Sequence, residues 1–228
     1  MCLEEKRWRK KSRLTREEEN CGKRKRLVYW KANRRLRARE DGCRVYTLIF
    51  NGSPRRAGDT SALIQVFCRE IRGQVEQIDA YRSTLSPCVD CRRCAGGGGC
   101  VINDGMQEIY EKVEKAQVLV LASPLYFSTL TGPLLALCSR FQALYMARRN
   151  QGSGWEQTKG GLVLLTGGGS TKDPSCAFRT SRIILREMGA GEIRQVASIG
   201  TDHLPAGEDE EALRQAVAAA REFNTLFA

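Results

Sequence analysis

Cys88, Cys91, Cys94 and Cys100 follow one another at spacings of two, two and five intervening residues. Two successive two-residue spacers wrap thiolates around one small object, and Ala95 with Gly96 to Gly99 gives a compliant lead to the fourth sulfur. Such a set suits a cubane 4Fe–4S cluster, whose four irons each take one thiolate. A tetrahedral zinc site more commonly uses two separated Cys-x-x-Cys pairs, and free or redox-active thiols are the third reading. Cys2, Cys21, Cys43, Cys68, Cys138 and Cys176 show no such spacing, and Cys68 and Cys138 read as small core hydrophobes. A single histidine, His203, excludes a histidine-cluster metal site and leaves little for a serine-hydrolase triad; it reads as a surface imidazole.

Three other stretches carry chemistry. In Gly52-Ser53-Pro54-Arg55-Arg56-Ala57-Gly58-Asp59-Thr60-Ser61, glycines and small hydroxyls lead into a helical pattern, which is a phosphate-binding arrangement. N–H groups at Thr60 and Ser61 and the helix dipole face the anion, Ser53 and Thr60 offer hydroxyls, and Arg55 adds a charge-assisted contact. The stretch matches neither the Walker pattern nor Gly-x-Gly-x-x-Gly, which disfavours ATP hydrolysis and a standard dinucleotide fold. Its plainer reading is an ordinary capped turn with Asp59 as the N-cap. Ser123-Pro124-Leu125-Tyr126-Phe127 is a proline-stiffened apolar and aromatic run that continues to Pro133. Pro124, Leu125, Tyr126 and Phe127 offer the apolar surface and main-chain groups that a planar ring such as an isoalloxazine needs, or else they merely cover the end of a sheet. Gly167 and Gly168, in Thr166-Gly167-Gly168-Gly169-Ser170-Thr171-Lys172, bring bare backbone to the same place.

From Val45 onward, short β-branched apolar runs alternate with amphipathic stretches, the texture of a parallel βα sheet. The expected strands are Val45 to Phe50, Val75 to Asp79, Val118 to Ala122, Gly161 to Thr166 and Ile193 to Ile199. The expected helices are Thr60 to Ile71, Gly105 to Ala116, Leu134 to Met146, Cys176 to Met188 and Glu208 to Phe223. Five strands and five helices without internal repeats predict an α/β, doubly wound, flavodoxin-like sheet of order 2-1-3-4-5. In such a sheet a ligand sits at the carboxyl ends of the strands, so the loops after strands one, three and four must form its site. Those are the three stretches described above.

The formal charge of +11 is concentrated at one end, where residues 1–44 hold 17 Lys and Arg against 7 Asp and Glu. We therefore divide the chain into a basic, loosely ordered extension, 1–44, and one domain, 45–228. A nucleic-acid contact through that extension is the alternative from another functional class, but nucleic acid is not the expected partner. No apolar window reaches the length of a membrane span and the first residues lack a signal-peptide core, so the expectation is a cytoplasmic protein with reduced cysteines.

Taken together, Gly-Ser-Pro-Arg with Gly-Asp-Thr-Ser, Pro87-Cys88-x-x-Cys91-x-x-Cys94, Cys100-Val101-Ile102-Asn103-Asp104-Gly105-Met106 and Ser123-Pro124-Leu125-Tyr126-Phe127 resemble the NAD(P)H-dependent FMN reductases and their relatives, the iron–sulfur flavoproteins. The resemblance runs from Val45 to about Phe223. It implies noncovalent FMN with Ser53, Arg55, Thr60 and Ser61 at the phosphate and Pro124 to Phe127 at the ring. It also implies NAD(P)H as co-substrate, a small-molecule or protein electron acceptor, and a homodimer or homotetramer. Within that resemblance a cluster-free quinone or azo-type reductase is the alternative. Two positions depart from the family pattern: Asp59 replaces the usual asparagine, and Leu134 to Arg140 lacks the family's lysine and aspartate.

Overall fold

A computed structural model describes residues 45–151, 156–169 and 173–228; the basic extension, 1–44, lies outside them, as do Ser170 to Lys172. The chain runs β1 (Tyr46–Asn51), α1 (Asp59–Glu70), β2 (Gln74–Asp79), α2 (Met106–Lys115), β3 (Val118–Pro124), α3 (Gly132–Ser139), α4 (Gln142–Gln151), β4 (Lys159–Gly167), α5 (Ser175–Glu187), β5 (Ala190–Ile199) and α6 (Glu210–Leu226). All neighbouring strands pair in parallel in the order β2-β1-β3-β4-β5, as the alternation predicts.

Period-two alternation divides the strands' side chains between two faces. Leu48, Phe50, Leu119, Leu121, Val163 and Leu165 point to one, where Met106, Ile109 and Val113 of α2, Leu134 of α3 and Leu185 of α5 cover them. Ile49, Val120, Leu162 and Leu164 point to the other, beneath Leu63, Ile64 and Phe67 of α1 and Ala212, Ala219 and Phe223 of α6. Because β3 and its neighbours are covered on both sides, β3 is apolar almost throughout, whereas the edge strand β2 keeps a polar, half-exposed pattern. Each fully buried Leu, Ile or Phe contributes roughly 1.5–3 kcal/mol, and the loop after β3 joins that packing through Leu125 and Leu130.

The turn from α1 into β2 depends on Gly73. Its φ of +97° is one that side chains avoid, and a Cβ there would stand 2.1 Å from the Val45 carbonyl oxygen. At the other end of the chain, the Asp209 carboxylate caps α6 by accepting from the Ala212 N–H at 3.1 Å.

The expected single helix from Leu134 to Met146 is instead two, α3 and α4, which makes six α-helices among the described residues rather than five. Between them the N–H groups of Arg140, Phe141 and Leu144 bond to the carbonyls of Leu137, Cys138 and Phe141, three residues back instead of four. Such i→i+3 tightening turns the axis. The Arg140 carbonyl accepts from the Tyr110 hydroxyl of α2 at 2.7 Å, and the Arg140 side chain is pulled inward to partners on another segment. Neither glycine nor proline marks this break. Tertiary partners override a sequence of good helix formers.

Candidate functional site

At the carboxyl end of β1, buried Asn51 organises the next turn. Its amide donates to Asp79 of β2 at 3.0 Å, and its carbonyl oxygen accepts the Ser53 N–H at 2.9 Å. Gly52 is tied to β3 by its N–H bond to the Ala122 carbonyl, 2.7 Å, and its own carbonyl accepts from the Thr131 hydroxyl, 2.8 Å. Ser53 and Ser61 both reach the Arg55 carbonyl with their hydroxyls, so the turn folds over the start of α1 while the Arg55 and Arg56 side chains stay exposed. The Ala62 N–H bonds to Gly58, so the N–H groups of Asp59, Thr60 and Ser61 precede the first intrahelical bond. The Thr60 hydroxyl pairs with that of Thr166 at 2.8 Å, joining the start of α1 to the end of β4.

Asp59 is not the N-cap. Gly58 occupies that position without a side-chain cap bond, and the Asp59 carboxylate instead accepts the Ala206 N–H at 3.0 Å. The carboxylate that replaces the usual asparagine is thereby engaged by the segment after β5.

Beyond β3 the chain makes a tight reversal. Tyr126 and Thr129 exchange both backbone hydrogen bonds, at 3.0 and 3.1 Å, across Phe127 and Ser128, whose φ angles are +52° and +58°. Two successive left-handed residues define a type I′ turn, usually made by Asn-Gly. Here Phe127 occupies its first central position and is 101% exposed, whereas Leu125 and Leu130 on either side are buried. Tyr126 is half-exposed, and its hydroxyl lies beside that of Tyr81; burial first, then this neighbour, pushes the Tyr81 phenol above its ordinary value.

Tyr81 belongs to a 3₁₀ turn after β2 (Ala80–Arg82), whose Arg82 reaches the Pro54 carbonyl at 3.4 Å and Asp79 at 3.3 Å. This turn carries no periodic signal in the sequence because it follows an edge strand; only the 2-1-3 order brings it beside the loop after β1. Asp202 is a second functional residue with no periodic signal. The Asp202 carboxylate accepts the Gly169 N–H at 2.6 Å and stands 2.7 Å from where a Gly168 Cβ would lie, so a side chain at position 168 would have to displace that carboxylate. Gly167 accepts two N–H groups, from Gly200 and Thr201. The Gly-Thr-Asp spelling of Gly200 to Asp202, at the end of a strand, was the available signal. His203 lies exposed next to it.

Ser53, Arg55, Thr60, Ser61, Pro124 to Phe127, Gly167 and Gly168 thus share one edge of the sheet. The four spaced cysteines do not; they lie on the crossover from β2 to α2. Cys88, Cys91, Cys94 and Cys100 line one pocket together with Arg140 and Met146. Left-handed backbone at Asp90, Arg92, Gly97 and Gly99 coils the segment, with one 3₁₀ turn at Arg93–Gly96. Burial raises the Cys94 thiol above its ordinary pKa, and the neighbouring Cys100, Cys88 and Cys91 add to that shift. Among the described residues no three or more His, Cys, Asp or Glu are drawn together closely enough to hold an ion. The donor set is nonetheless all sulfur on one concave surface, which fits a soft, thiolate-ligated group better than a hard cation.

Outside bonds hold this segment. The Cys88 N–H donates to the Ser139 hydroxyl at 2.9 Å and the Asn150 amide to the Ala95 carbonyl at 3.0 Å. Arg140 forms a two-pronged pair with Asp104, at 2.8 and 3.1 Å. Burial works against the Arg140 charge, but the Asp104 carboxylate outweighs it and holds the guanidinium above its ordinary value; the same pair lowers Asp104. Cys138 is buried, which pushes its thiol up to about 12, and Cys68 packs at the margin of the other core, as expected of small hydrophobes.

Among known proteins the chain is similar to an iron-sulfur flavoprotein of Methanocaldococcus jannaschii, 33% identical over 97 residues, 41% of this chain and 50% of that one. A second iron-sulfur flavoprotein of the same organism is 28% identical over 179 residues, 72% of this chain and 87% of its own length. The chain aligns with about half the length of the first curated relatives it matches. In fold it is similar to an NAD(P)H:quinone oxidoreductase from Methanothermobacter marburgensis, with a TM-score of 0.59 and 16% identity over 78% of this chain and 98% of that one. An azoreductase from Bacillus anthracis gives a TM-score of 0.54 at 17% identity, over 79% of this chain and 99% of that one. The family model for NADPH-dependent FMN reductases matches residues 45–204, which take in all five strands and the loops at their carboxyl ends, and the chain belongs to that family.

Proposed function

We propose that the chain is an FMN-dependent oxidoreductase that takes hydride from NAD(P)H and delivers electrons to a soluble acceptor, through a 4Fe–4S cluster on Cys88, Cys91, Cys94 and Cys100. The observation that carries the flavin reading is the convergence of the β1, β3 and β4 loops on one sheet edge: an anion-ready helix start, an apolar aromatic turn and bare glycine backbone. FMN, when bound, supplies a ring that accepts two electrons as hydride and releases them singly or in pairs.

The chain's own residues then have separate tasks. The N–H groups of Thr60 and Ser61 and the Ser53 hydroxyl take phosphate oxygens, and exposed Arg55 folds over them. The Thr60 hydroxyl, already paired with Thr166, fixes α1 to β4 so that those N–H groups keep their aim. Pro124, Leu125 and Tyr126 present apolar surface to a ring, while Gly167 and Gly168 let it approach bare backbone. Phe127 on its projecting turn closes the ring site or meets a second copy of the chain in a homodimer or homotetramer. No side chain is assigned an acid–base role.

The four cysteines would hold the cluster by one sulfur each. Support comes from their common pocket and from the names of the curated relatives. Quinones and azo compounds, after which the fold neighbours are named, are the acceptors to try first.

The test is protein purified without oxygen. Flavin absorbance released as FMN on denaturation, and bleached by NADPH before denaturation, is the expected result. Protein that neither carries nor takes up FMN overturns the proposal.

A further inference from the structure

Arg140 is completely buried, yet it has one carboxylate partner and sits where a regular helix should have run. Its Nη1 donates to the Ser86 carbonyl at 2.7 Å and to Asp104 Oδ2 at 2.8 Å. Its Nη2 donates to Asp104 Oδ1 at 3.1 Å, to the Cys100 sulfur at 3.4 Å and to the Ile102 carbonyl at 3.5 Å. Nε is buried without a partner. These contacts meet the two ends of the cysteine segment, Ser86 just before Cys88 and Cys100 to Asp104 at its close. Asp104 reinforces the same closure by accepting the Ser86 N–H at 3.2 Å. Next to Arg140, Ser139 receives the Cys88 N–H. One guanidinium at a helix break therefore gathers both ends of the loop and reaches one of its sulfurs.

We infer that Arg140 is a positioning residue for the sulfur-ligated centre: it closes the cysteine segment and, through its bond to the Cys100 sulfur, sets the reduction potential of the cluster held there. This rests on the cluster reading given above. An arginine that only braced a loop could do so from its carboxylate and carbonyl contacts; the contact with sulfur adds an electrostatic task. Reduction adds negative charge to a thiolate-ligated group, and a fixed positive donor at one of its sulfurs favours that added charge. Asp104 opposes the same effect, since its negative charge offsets that of Arg140. The pair sets the potential by its balance.

The consequence is a test of sign. Arg140→Gln removes a positive charge beside the pocket, and Asp104→Asn removes a negative one with nearly unchanged shape. In full-length, anaerobically reconstituted protein, the midpoint potential of the cluster, followed by electron paramagnetic resonance, should move down in Arg140→Gln and up in Asp104→Asn. Loss of a mechanical brace alone would loosen the segment in both variants and move both in the same direction. Hydrogen exchange over residues 86–104 in cluster-free protein reads the brace separately and should quicken in both.

Wild-type iron and sulfide content separates the two levels of the argument. Wild-type protein that takes up neither iron nor sulfide removes the cluster, and the assignment to Arg140 with it. A loaded wild type whose variants show unshifted potentials, or shifts of the same sign, overturns the role of Arg140 and leaves the cluster standing. Where Arg140→Gln does not fold or load, Arg140→Lys takes its place beside Asp104→Asn: it keeps the positive charge while losing the forked contact, so a potential that stays at the wild-type value or falls while that of Asp104→Asn rises supports the assignment, and shifts of the same sign in the two variants overturn it.

Discussion

The carboxyl edge of the sheet and the cysteine segment are shaped by different means. At the edge, each loop leaves a strand locked in register with its neighbours, and the short connections continue that order: Gly52 bonds to Ala122, Leu125 to Thr166 and Gly200 to Gly167. The site is a by-product of strand pairing. The cysteine segment has no strand to inherit from and holds only a 3₁₀ turn and four left-handed residues. Its shape comes from clamps on α3, on α4 and at the break between them, namely Ser139, Asn150 and Arg140. Damage at one region should therefore leave the other intact, which is the experimental handle on both.

The largest effect is expected from Cys91→Ser. Of the four sulfurs Cys91 is the exposed one, and each iron of a cubane takes one thiolate, so iron and acid-labile sulfide should fall together, close to none, with FMN content unchanged. Simultaneous loss of FMN would mean that the two regions are not separable.

Next comes Arg55→Ala at the edge. A charge-assisted contact to phosphate is worth roughly 1.5–3 kcal/mol, so FMN affinity should weaken by about 10- to 150-fold in a fluorescence titration, with iron content as in wild type. Unaltered affinity would remove Arg55 from the phosphate site.

A smaller, graded effect should distinguish the clamps. Because Arg140 lowers the pKa of Asp104, the stability gained from their pair is fully present above the unfolded carboxylate value, about 3.9, and is lost as pH falls through the folded one. Protease resistance of residues 86–104 should persist at neutral pH and fade in acid below about 4. Asp104→Asn should show low resistance at all pH values and no such step; a variant that keeps the wild-type step would place the titrating group elsewhere.

How legible each region was follows from the same contrast. Strand order, the two-faced core and the three edge loops were readable because hydrophobic period and βα alternation are local signals that the sheet integrates. The cysteine spacing was readable as well, but its anchoring was not. Arg140 looked like a residue inside an apolar helix, and only a buried guanidinium with partners 36 and 54 residues away breaks that helix. Tyr81, Arg82 and Asp202 escaped for a related reason: an edge position or a following turn has little periodicity, and their roles exist only once β2 and β5 are placed. Asp59 read as a helix cap from its neighbours in sequence, whereas its partner, Ala206, is 147 residues away.

The smallest expected effect sharpens the account of the aromatic turn. A type I′ turn demands positive φ at both central positions, and Phe127 and Ser128 meet that demand with side chains attached. Holding a non-glycine residue left-handed costs roughly 1–2 kcal/mol, whereas glycine at the same position costs about 0.5–1 kcal/mol of extra chain entropy. Ser128→Gly should therefore stabilise the fold by about 0.5 kcal/mol, which is a Tm rise of roughly 1–2 °C in a domain of this size. FMN affinity should not change, because residue 128 contributes no assigned contact. Phe127→Gly relieves the same conformation and, with Phe127 wholly exposed in the single chain, removes no packing there; its melting temperature should also rise. Its binding behaviour should differ: a ring or a second copy resting on Phe127 would be lost, seen as weaker FMN binding or as a smaller species in sedimentation. If Phe127→Gly changes neither, the exposed phenyl serves no partner. If Ser128→Gly lowers the melting temperature, the turn is not held in the left-handed form in solution, and the aromatic side of the edge site loses the rigidity assigned to it.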